Sequence, residues 1–298
     1  MAVKPFLKWA GGKSQILDDI RRKYPAGLGA SITRYAEPFV GGGAVLFDVL
    51  SRYPVRDVYI SDINKELISA CTAVRDKVRE LVRTLKNLES EYISADEALR
   101  KAIYYRNRER FNALKAAGSE SAELAALFIF LNRTCFNGLY RVNTHGAFNV
   151  PQGSYKNPVI CDESNLQAVS DILQGVTIVC ADYRESRNFI DHNTFVYFDP
   201  PYRPLTATAR FTSYAEGGFG DREQSELARF IDEMSGRGAH IVASNSDPKN
   251  ADEKDDFFDR LYSRHNIMRI RASRSINSVG AARGRISELL ICNAGELR

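Results

Sequence analysis

The sequence predicts an α/β protein with a mostly parallel sheet that is interrupted by a helical insertion. Two observations support this prediction. Short apolar strands alternate with amphipathic helical segments near the start of the chain and again in its second half, as in sheets whose parallel strands are joined by crossover helices. Residues 64–133, which lie between these regions, form long charged segments with helical periodicity. The 298 residues suffice for one large or two modest domains.

The first predicted part of the sheet domain, residues 1–63, begins with a glycine-containing loop that enters an amphipathic helix, "FLKWAGGKSQILDDIRRKY". A short strand, a glycine run and a helix follow in "RYAEPFVGGGAVLFDVL", where Val45, Leu46, Val49 and Leu50 recur at helical spacing. The segment "DVYISDI" is a second apolar strand. A strand, a crossover helix and a strand in this order predict parallel pairing.

Residues 64–159 are predicted to form the inserted domain. Its helical part includes "NKELISACTAVRDKVRELVRTLKNLE" and "SAELAALFIFLNRT". Residues 136–158 are rich in glycine, asparagine and aromatic residues and contain no acidic residue, which predicts a β-hairpin or a long loop. The alternating pattern resumes in residues 160–298, where the predicted strands are "GVTIVCAD", "NTFVYFD", "AHIVASN" and "ISELLICN".

The composition is that of an ordinary globular protein, with 44% hydrophobic and 26% charged residues. No apolar run approaches the roughly 18 residues of a membrane span, and the first residues lack a signal-peptide core, so we expect a cytoplasmic protein. The five cysteines are scattered without a C-x-x-C pair, which favours reduced thiols. The four histidines have no spacing typical of a metal site, so no metal is expected.

A basic run near the end of the chain indicates binding to a polyanion. The formal net charge of +4 is too small to indicate a nucleic-acid partner by itself. Arg260 to Arg285, however, contain seven arginines and no acidic residue. The alternative interpretation is a solvated polar face.

The glycine run and a later aspartate predict a nucleoside-binding site. Gly41 and Gly43 follow a strand and open a helix, where glycine allows close approach of the backbone. Asp62 ends the next strand 21 residues after Gly41, a placement typical of an acid that binds ribose hydroxyls. A tight strand-to-helix turn also uses glycine for purely steric reasons, so the glycines alone are a weak signal.

The missing G-x-G-x-x-G pattern disfavours a dinucleotide, because nothing would hold its pyrophosphate. S-adenosylmethionine has no phosphate and fits better. Lys13 would pair with the carboxylate of its methionine part, and Trp9 would pack against the cofactor. The alternative places Trp9 in the core and Lys13 on the surface.

The segment "FVYFDPPYRPL" ends a strand with a carboxylate on a stiff backbone. An exocyclic amino group of a base is a poor nucleophile, and two acceptors aimed at its N–H bonds would help it to attack. The Asp199 carboxylate and the Pro200 carbonyl would be these acceptors, with Pro201 stiffening the turn. Tyr202 offers a flat face for an extruded base. The alternative is a Pro-Pro turn that simply closes a strand.

Together these motifs resemble the Dam-type DNA adenine-N6 methyltransferases, the D12 class whose target-recognition domain is inserted between the cofactor and catalytic motifs. The resemblance extends over nearly the whole chain. The matching motifs, in the order typical of the family, are "FLKWAGGK" (6–13), "EPFVGGGAV" (37–45), "ISDIN" (60–64), "FNGLYRVN" (136–143), "GAFNVPQGSYKNP" (146–158), "DPPY" (199–202) and "SELL" (287–290).

The resemblance implies a Rossmann-like S-adenosylmethionine-dependent methyltransferase sheet in residues 1–63 and 160–298, with a helical target-recognition domain carrying a β-hairpin in residues 64–159. It also implies catalytic and cofactor roles for particular residues. The implied catalytic residues are Asp199, Pro200, Pro201 and Tyr202. The implied S-adenosyl-L-methionine contacts are Trp9, Lys13, Phe39, Gly41, Gly43, Asp62, Asp182 and Asp199.

The resemblance further implies contacts with double-stranded DNA. Arg141 matches an arginine that binds a guanine, and Phe136 matches an aromatic residue that wedges into the base stack. The full implied set of DNA contacts is Lys8, Arg133, Phe136, Asn137, Leu139, Arg141 and Pro151.

The predicted function is therefore site-specific methylation of adenine N6 in duplex DNA, at GATC, by base flipping, in a bacterial or phage-encoded protein. Two alternatives remain open, a cytosine-N4 methyltransferase and a non-catalytic DNA-binding protein of the same fold. Cytosine-C5 chemistry is excluded because no Pro-Cys nucleophile occurs in the chain. Functional pairing with a restriction endonuclease is left open.

Overall fold

The computed structural model describes residues 3–203, 219–273 and 285–293. Its strands form a seven-stranded sheet with the order β3-β2-β1-β4-β5-β7-β6. The strands are β1 (Arg34–Glu37), β2 (Asp57–Asp62), β3 (Thr177–Cys180), β4 (Thr194–Phe198), β5 (His240–Ser246), β6 (Asn266–Ser273) and β7 (Arg285–Cys292). The predicted α/β class is confirmed.

The α-helices in the described part of the chain alternate with these strands except in one long stretch between β2 and β3. They are α1 (Leu17–Arg21), α2 (Ala44–Arg52), α3 (Lys65–Ser94), α4 (Glu97–Ala116), α5 (Ala122–Thr134), α6 (Glu163–Ile172), α7 (Asp221–Gly236) and α8 (Phe257–Leu261). None of the described helices is both long and apolar enough to cross a membrane.

Strand direction divides the sheet into two parts. β1 pairs in parallel with β2 and β4, and β4 pairs in parallel with β5. β7 then runs antiparallel to both β5 and β6. The sequence analysis missed β6, because Arg269 and Arg271 interrupt its apolar residues and were interpreted only as part of a basic run. The predicted strand "ISELLICN" corresponds to β7.

By contacts between residues, the chain divides into two compact units. The first unit comprises Met1–Gly12, Gly41–Arg52 and Asp62–Cys180. In it, α3 and α4 pack against α5, whose sequence is apolar on every side and whose side chains are almost all buried. The side chains of Asn64, Asp96 and Ser121 cap α3, α4 and α5, each accepting a backbone N–H three residues later.

The predicted hairpin at residues 136–158, in the first unit, has two antiparallel bridges rather than continuous strands. Cys135 is bridged to Gln152, and Val142 to Phe148. This segment leaves regular structure at Asn137, which has a positive φ of 54°. The predicted domain bounds 1–63, 64–159 and 160–298 stay a prediction.

The second unit comprises Lys13–Val40, Tyr53–Ser61 and Ala181–Arg298. Its core lies between the sheet and α7, where Leu227, Phe230, Ile231 and Met234 recur at helical spacing and are buried. β4 is buried along its whole length, as expected for a central strand between parallel neighbours. The end of this strand is therefore held rigidly.

Leu227→Ala should lower the free energy of unfolding by about 2–5 kcal/mol, because Leu227 is fully buried and its removal leaves a cavity. Leu99→Ala is a matched control in another helix, and Leu99 is 53% exposed, so its change should cost less than about 0.5 kcal/mol. Urea denaturation followed by circular dichroism measures both. Equal losses for the two variants would contradict this account of the core.

Candidate active site

The end of β4 delivers the predicted catalytic residues to the carboxyl edge of the parallel strands in the second unit. Asp199 directly follows β4, and Pro200 and Pro201 end the hydrogen-bonding ladder. β4 lies beside β1, and the strand order reverses between these two strands. In open α/β sheets, ligands bind at the carboxyl ends of strands beside such a reversal.

The Asp199 carboxylate is held by two donors. The Lys13 ammonium lies 2.7 Å from its Oδ1, and the Ser244 hydroxyl donates to the same oxygen at 2.8 Å. The hydroxyl oxygens of Ser244 and Tyr197 are 2.9 Å apart. Because Ser244 gives its proton to Asp199, Tyr197 is the donor in this second bond. Neither bond to Asp199 uses Oδ2.

Lys13 is a buried cation, with a side chain only 4% exposed. The alternative that Lys13 is an ordinary surface residue is therefore wrong. Burial alone lowers the pKa of Lys13, but Asp199, Tyr202 and Glu288 more than offset this, so the pKa lies above its ordinary value. Lys13 accordingly stays charged, and it donates to the Tyr202 hydroxyl at 2.9 Å.

Tyr202 accepts this hydrogen bond and donates another one. Its hydroxyl donates to Glu288 Oε2 at 3.0 Å, and burial raises its pKa so that the phenol stays protonated. Burial also raises the pKa of Glu288, although Lys13 and the hydrogen bond from Tyr202 partly counteract this effect. The structure thus joins Lys13, Asp199, Tyr202 and Glu288, which we call the charged cluster.

Further contacts fix the backbone of the catalytic loop. Gln224, buried on α7, donates to the Pro201 carbonyl at 3.1 Å, and Asn245 donates to Gln224 at 3.1 Å. Arg203 pairs with Asp221 and Asp255, at 2.5 and 2.6 Å. These contacts hold residues 199–203 from both sides of the predicted catalytic motif.

The glycine run lies against Trp9 in the first unit. Gly41 has a positive φ of 47°, and a Cβ at this position would come within 2.9 Å of Trp9 Cδ1. The Trp9 ring stacks on Tyr140, with ring centroids 6.2 Å apart. Tyr140 is held in turn by Glu66, which accepts its hydroxyl proton at 2.7 Å. Trp9 itself is only partly buried, so it is not an ordinary core residue.

Asp62, in the same unit, is bound by backbone amides. Gly41 N donates to one carboxylate oxygen at 3.2 Å, and Asn64 N donates to the other at 2.9 Å. Burial raises the pKa of Asp62 above its ordinary value, with these amides and that of Ile63 partly opposing the rise. A carboxylate offers about four acceptor positions, so about one remains after these three donors.

Two predicted cofactor residues of the second unit have other contacts. Phe39 stacks on Tyr183, with centroids 5.4 Å apart, and contacts Phe219 edge to face at 5.9 Å. Asp182 follows β3 and caps the short turn after it, accepting from the Arg184 amide at 3.0 Å and from its guanidinium at 3.1 Å. The structure describes both positions, and their cofactor roles stay predictions.

The structure brings predicted DNA contacts together in the first unit. Asn132, buried in α5, accepts from the Lys8 amide and donates to the carbonyls of Lys8 and Gly138. This ties the segment around Lys8 to the start of the 136–158 segment. We call the following residues the candidate DNA surface: Lys8, Phe136, Asn137, Leu139, Arg141 and Pro151.

Side chains of this surface are available to a partner. Phe136 is 50% exposed, which is unusual for a large apolar residue. Arg141 is exposed, and its Nε donates to Asn149 Oδ1 at 2.8 Å, which orients the guanidinium. Arg133 differs, because it is partly buried and its Nη2 donates to the Phe6 carbonyl at 2.8 Å. Its predicted role in binding DNA stays a prediction.

The basic run of the sequence is partly neutralised. Arg269 pairs with Asp247 at 3.0 Å and with Asp259 at 2.7 Å, and Arg260 pairs with Asp256 at 3.2 Å. These acidic partners precede the run, so inspection of the run alone missed them. Two of its arginines, Arg274 and Arg283, lie outside the described residues.

Sequence reasoning missed several residues of the site. Glu288 was noted only as part of the "SELL" motif, and Gln224 only as part of a helix. No local signal could have found their contacts, because 86 residues separate Tyr202 from Glu288 and 23 separate Pro201 from Gln224. A single acid inside an otherwise apolar strand was the one available hint for Glu288.

Comparison with known proteins agrees with this geometry. The family model described as D12 class N6 adenine-specific DNA methyltransferase matches residues 9–276. The type II methyltransferase M.MjaIII of Methanocaldococcus jannaschii is 48% identical over 98% of this chain and 100% of its own length. The DNA adenine methylase of Escherichia coli K12 is 36% identical over 96% of this chain and 94% of its own length.

A third relative, the type II methyltransferase M1.LlaDCHI of Lactococcus lactis, is 34% identical over 98% of this chain and 96% of its own length. The family match thus covers nearly all of the chain, including the glycine run, Asp62 and the catalytic motif. Enzymes of this family act on DNA and use S-adenosyl-L-methionine as the methyl donor. The chain belongs to the D12 class of N6 adenine-specific DNA methyltransferases.

Proposed function

We propose that this protein methylates adenine N6 within GATC in duplex DNA, after turning the adenine out of the helix. The observation that carries the proposal is the fixation of Asp199 at a strand end by two donors on Oδ1. Neither of these bonds uses the other oxygen, Oδ2, which we assign to the substrate. The family match favours adenine over the cytosine-N4 alternative, and an intact catalytic motif argues against a non-catalytic protein.

Residues of the chain fit S-adenosyl-L-methionine, which supplies a methyl group on a positively charged sulfur. Asp62 has acceptor capacity left for a ribose hydroxyl, and the glycine run allows the backbone to approach a nucleoside closely. Trp9 offers an apolar ring beside the same glycines. We assign cofactor contacts to Trp9, Lys13, Phe39, Gly41, Gly43, Asp62, Asp182 and Asp199.

In the proposed reaction, the two N–H groups of the adenine amino group donate hydrogen bonds to Asp199 Oδ2 and to the Pro200 carbonyl oxygen. This localises the nitrogen lone pair for attack on the methyl carbon, while the electrons of the C–S bond remain on sulfur. The methylated nitrogen is briefly cationic and then loses a proton to Asp199 Oδ2, from which it passes to solvent. Positioning and electrostatics carry most of the rate, so Asp199 need not remove a proton before the transfer.

The Tyr202 ring would stack on the flipped adenine, because its hydroxyl is already held by Lys13 and Glu288 and the ring cannot turn freely. On the DNA side, exposed Phe136 suits a wedge that occupies the space left by the base. Arg141 suits bidentate contact with the guanine of GATC. Leu139 and Pro151 would contact other bases, and Lys8, Arg133 and Asn137 the surrounding DNA.

Two relatives are named type II methyltransferases, which supports a role beside a restriction endonuclease. The relative named DNA adenine methylase supports the same chemistry without naming such a partner. The restriction endonuclease is therefore a second proposal, separate from the reaction and its site. Co-expression with candidate endonucleases tests whether the protein protects DNA from their cleavage.

Asp199→Ala should reduce methyl transfer about 100- to 1000-fold, because the amino group loses its charged acceptor. The measurement is nucleoside analysis of GATC duplexes after incubation with labelled S-adenosylmethionine. Asp18→Ala is the matched control, since Asp18 is 79% exposed and pairs with Arg21 rather than with a member of the charged cluster. Label recovered in cytosine would contradict the adenine assignment, and equal label in duplexes without GATC would contradict the site.

Affinity for the cofactor should fall as the pH is lowered toward the range in which Asp62 takes up a proton, because a protonated carboxyl group loses part of its capacity to accept hydrogen bonds from the ribose. The pKa of Asp62 is raised by burial, so the loss begins at a higher pH than for an ordinary aspartate near about 3.9. Calorimetry at several pH values measures it. Asp62→Asn should bind more weakly and with less pH dependence. Identical pH profiles for the two proteins would refute the assignment.

Arg141→Ala should reduce discrimination at one G·C pair by about 1–3 kcal/mol. Competition binding to duplexes that differ at single positions of GATC measures this. Arg106→Ala is the matched control, because Arg106 is 59% exposed and pairs with Glu91 on the helical part of the same unit. A uniform loss of affinity for all duplexes would mean that Arg141 binds only phosphate.

A further inference from the structure

Glu288 is an acidic residue in the middle of an apolar strand. It is followed in β7 by Leu289 and Leu290, both fully buried. In the sheet it pairs with Ser246 of β5 and Ile270 of β6, neither of which carries a charge. A carboxylate in such surroundings loses hydration and requires compensating partners. Its partners are therefore informative about its role.

The groups that act on Glu288 are the other members of the charged cluster, Tyr202, Lys13 and Asp199. Tyr202 donates to Glu288 at 3.0 Å, and the positive charge of Lys13 acts on Glu288 across this hydroxyl. Asp199, the other carboxylate of the cluster, raises the pKa of Glu288 as a like charge. Arg269 of the neighbouring strand is instead paired with Asp247 and Asp259. Glu288 thus faces the catalytic motif.

The hydrogen bonds within the cluster have one direction. An ammonium group only donates, so Tyr202 accepts from Lys13 and must pass its own proton to another acceptor. Glu288 is that acceptor. The orientation of the Tyr202 ring consequently depends on Glu288.

The charges of the cluster have a consequence for the reaction. The hydrogen bond from Tyr202 and the charge of Lys13 favour the ionised form of Glu288. With both carboxylates ionised, Lys13 contributes one positive charge and Asp199 and Glu288 one negative charge each, so the cluster is negative overall. Without Glu288, Lys13 would neutralise Asp199 completely. Methyl transfer places positive charge on the nitrogen that Asp199 contacts, and a negative surrounding stabilises that charge better than a neutral one.

We propose that Glu288 is a positioning residue for methyl transfer, which balances the charge of Lys13 and orients Tyr202 so that Asp199 remains effectively anionic toward the target amine. The inference rests on the proposed function, and it adds a role for a residue outside the catalytic motif. Glu288 acts through Lys13 and Tyr202 and does not itself contact the reacting atoms.

Glu288→Gln tests the proposal, because glutamine keeps the size of the side chain and an oxygen that accepts from Tyr202 but removes the charge. The single-turnover methylation rate should fall about 10- to 100-fold. The KM values for DNA and for S-adenosylmethionine should change less than about threefold. Glu288→Asp, which restores the charge, should recover part of the rate.

Glu233→Gln is the matched control, because Glu233 also pairs with basic residues, Arg187 and Arg237, but lies outside the cluster. Its rate should equal that of the wild type. Circular dichroism verifies that each variant is folded, and if Glu288→Gln does not fold, Tyr202→Phe provides the second test. That variant keeps the aromatic ring and every charge but removes the hydroxyl that joins Lys13 to Glu288. It should lower the rate about tenfold without a change in KM.

A folded Glu288→Gln variant with the wild-type rate, or one that changes only KM, would overturn the proposal. So would a wild-type rate for Tyr202→Phe, or a Glu288→Asp variant no faster than Glu288→Gln. Failure of the proposed function has a different signature, since the wild type itself would then place no methyl group on adenine. The two failures are therefore distinguished by the wild-type measurement alone.

Discussion

The buried ammonium group of Lys13 is the charge on which the charged cluster of the second unit depends. A cation that is 4% exposed is stable only if carboxylates and hydroxyls replace the water that it has lost. Asp199 and Tyr202 do this directly, and Glu288 does it through Tyr202. The requirement links a short turn at Lys13 to the segment after β4 and to the middle of β7, and it gives residues 199–202 a defined geometry.

The sheet explains why these groups can meet. β4 is parallel to its neighbours and delivers Asp199 at its carboxyl end, whereas β7 is antiparallel and pairs Glu288 with Ser246, the last residue of β5, at the same edge. Ser244 of β5 lies between them in strand order and donates to Asp199. A parallel β7 in the same place would have put Glu288 at the opposite end of the pairing. The antiparallel direction of β7 thus brings Glu288 into the charged cluster.

Local patterns predicted those parts of the site that local sequence determines. Two prolines after an apolar strand mark the position of Asp199, and a glycine run followed by a strand marks that of Asp62, because both signals depend on backbone constraints within a few residues. Glu288, Gln224 and Asn132 escaped prediction because their partners are distant in sequence. β6 was missed because Arg269 interrupts its apolar residues. The ion pairs of Arg269 were missed because Asp247 and Asp259 lie outside the basic run.

The charged cluster joins residue 13 to residue 288, and this span has a consequence for synthesis of the protein. A chain that is still being made can bury its early helices as they emerge, since folding proceeds from the amino-terminal side. It can pair Lys13 with Asp199 once β4 has formed, but Glu288 joins the cluster only when β7 has emerged and paired with β5. Chains that end before β7 would lack Glu288 and its hydrogen bond from Tyr202, so the complete charged cluster forms only after residue 288 has been made.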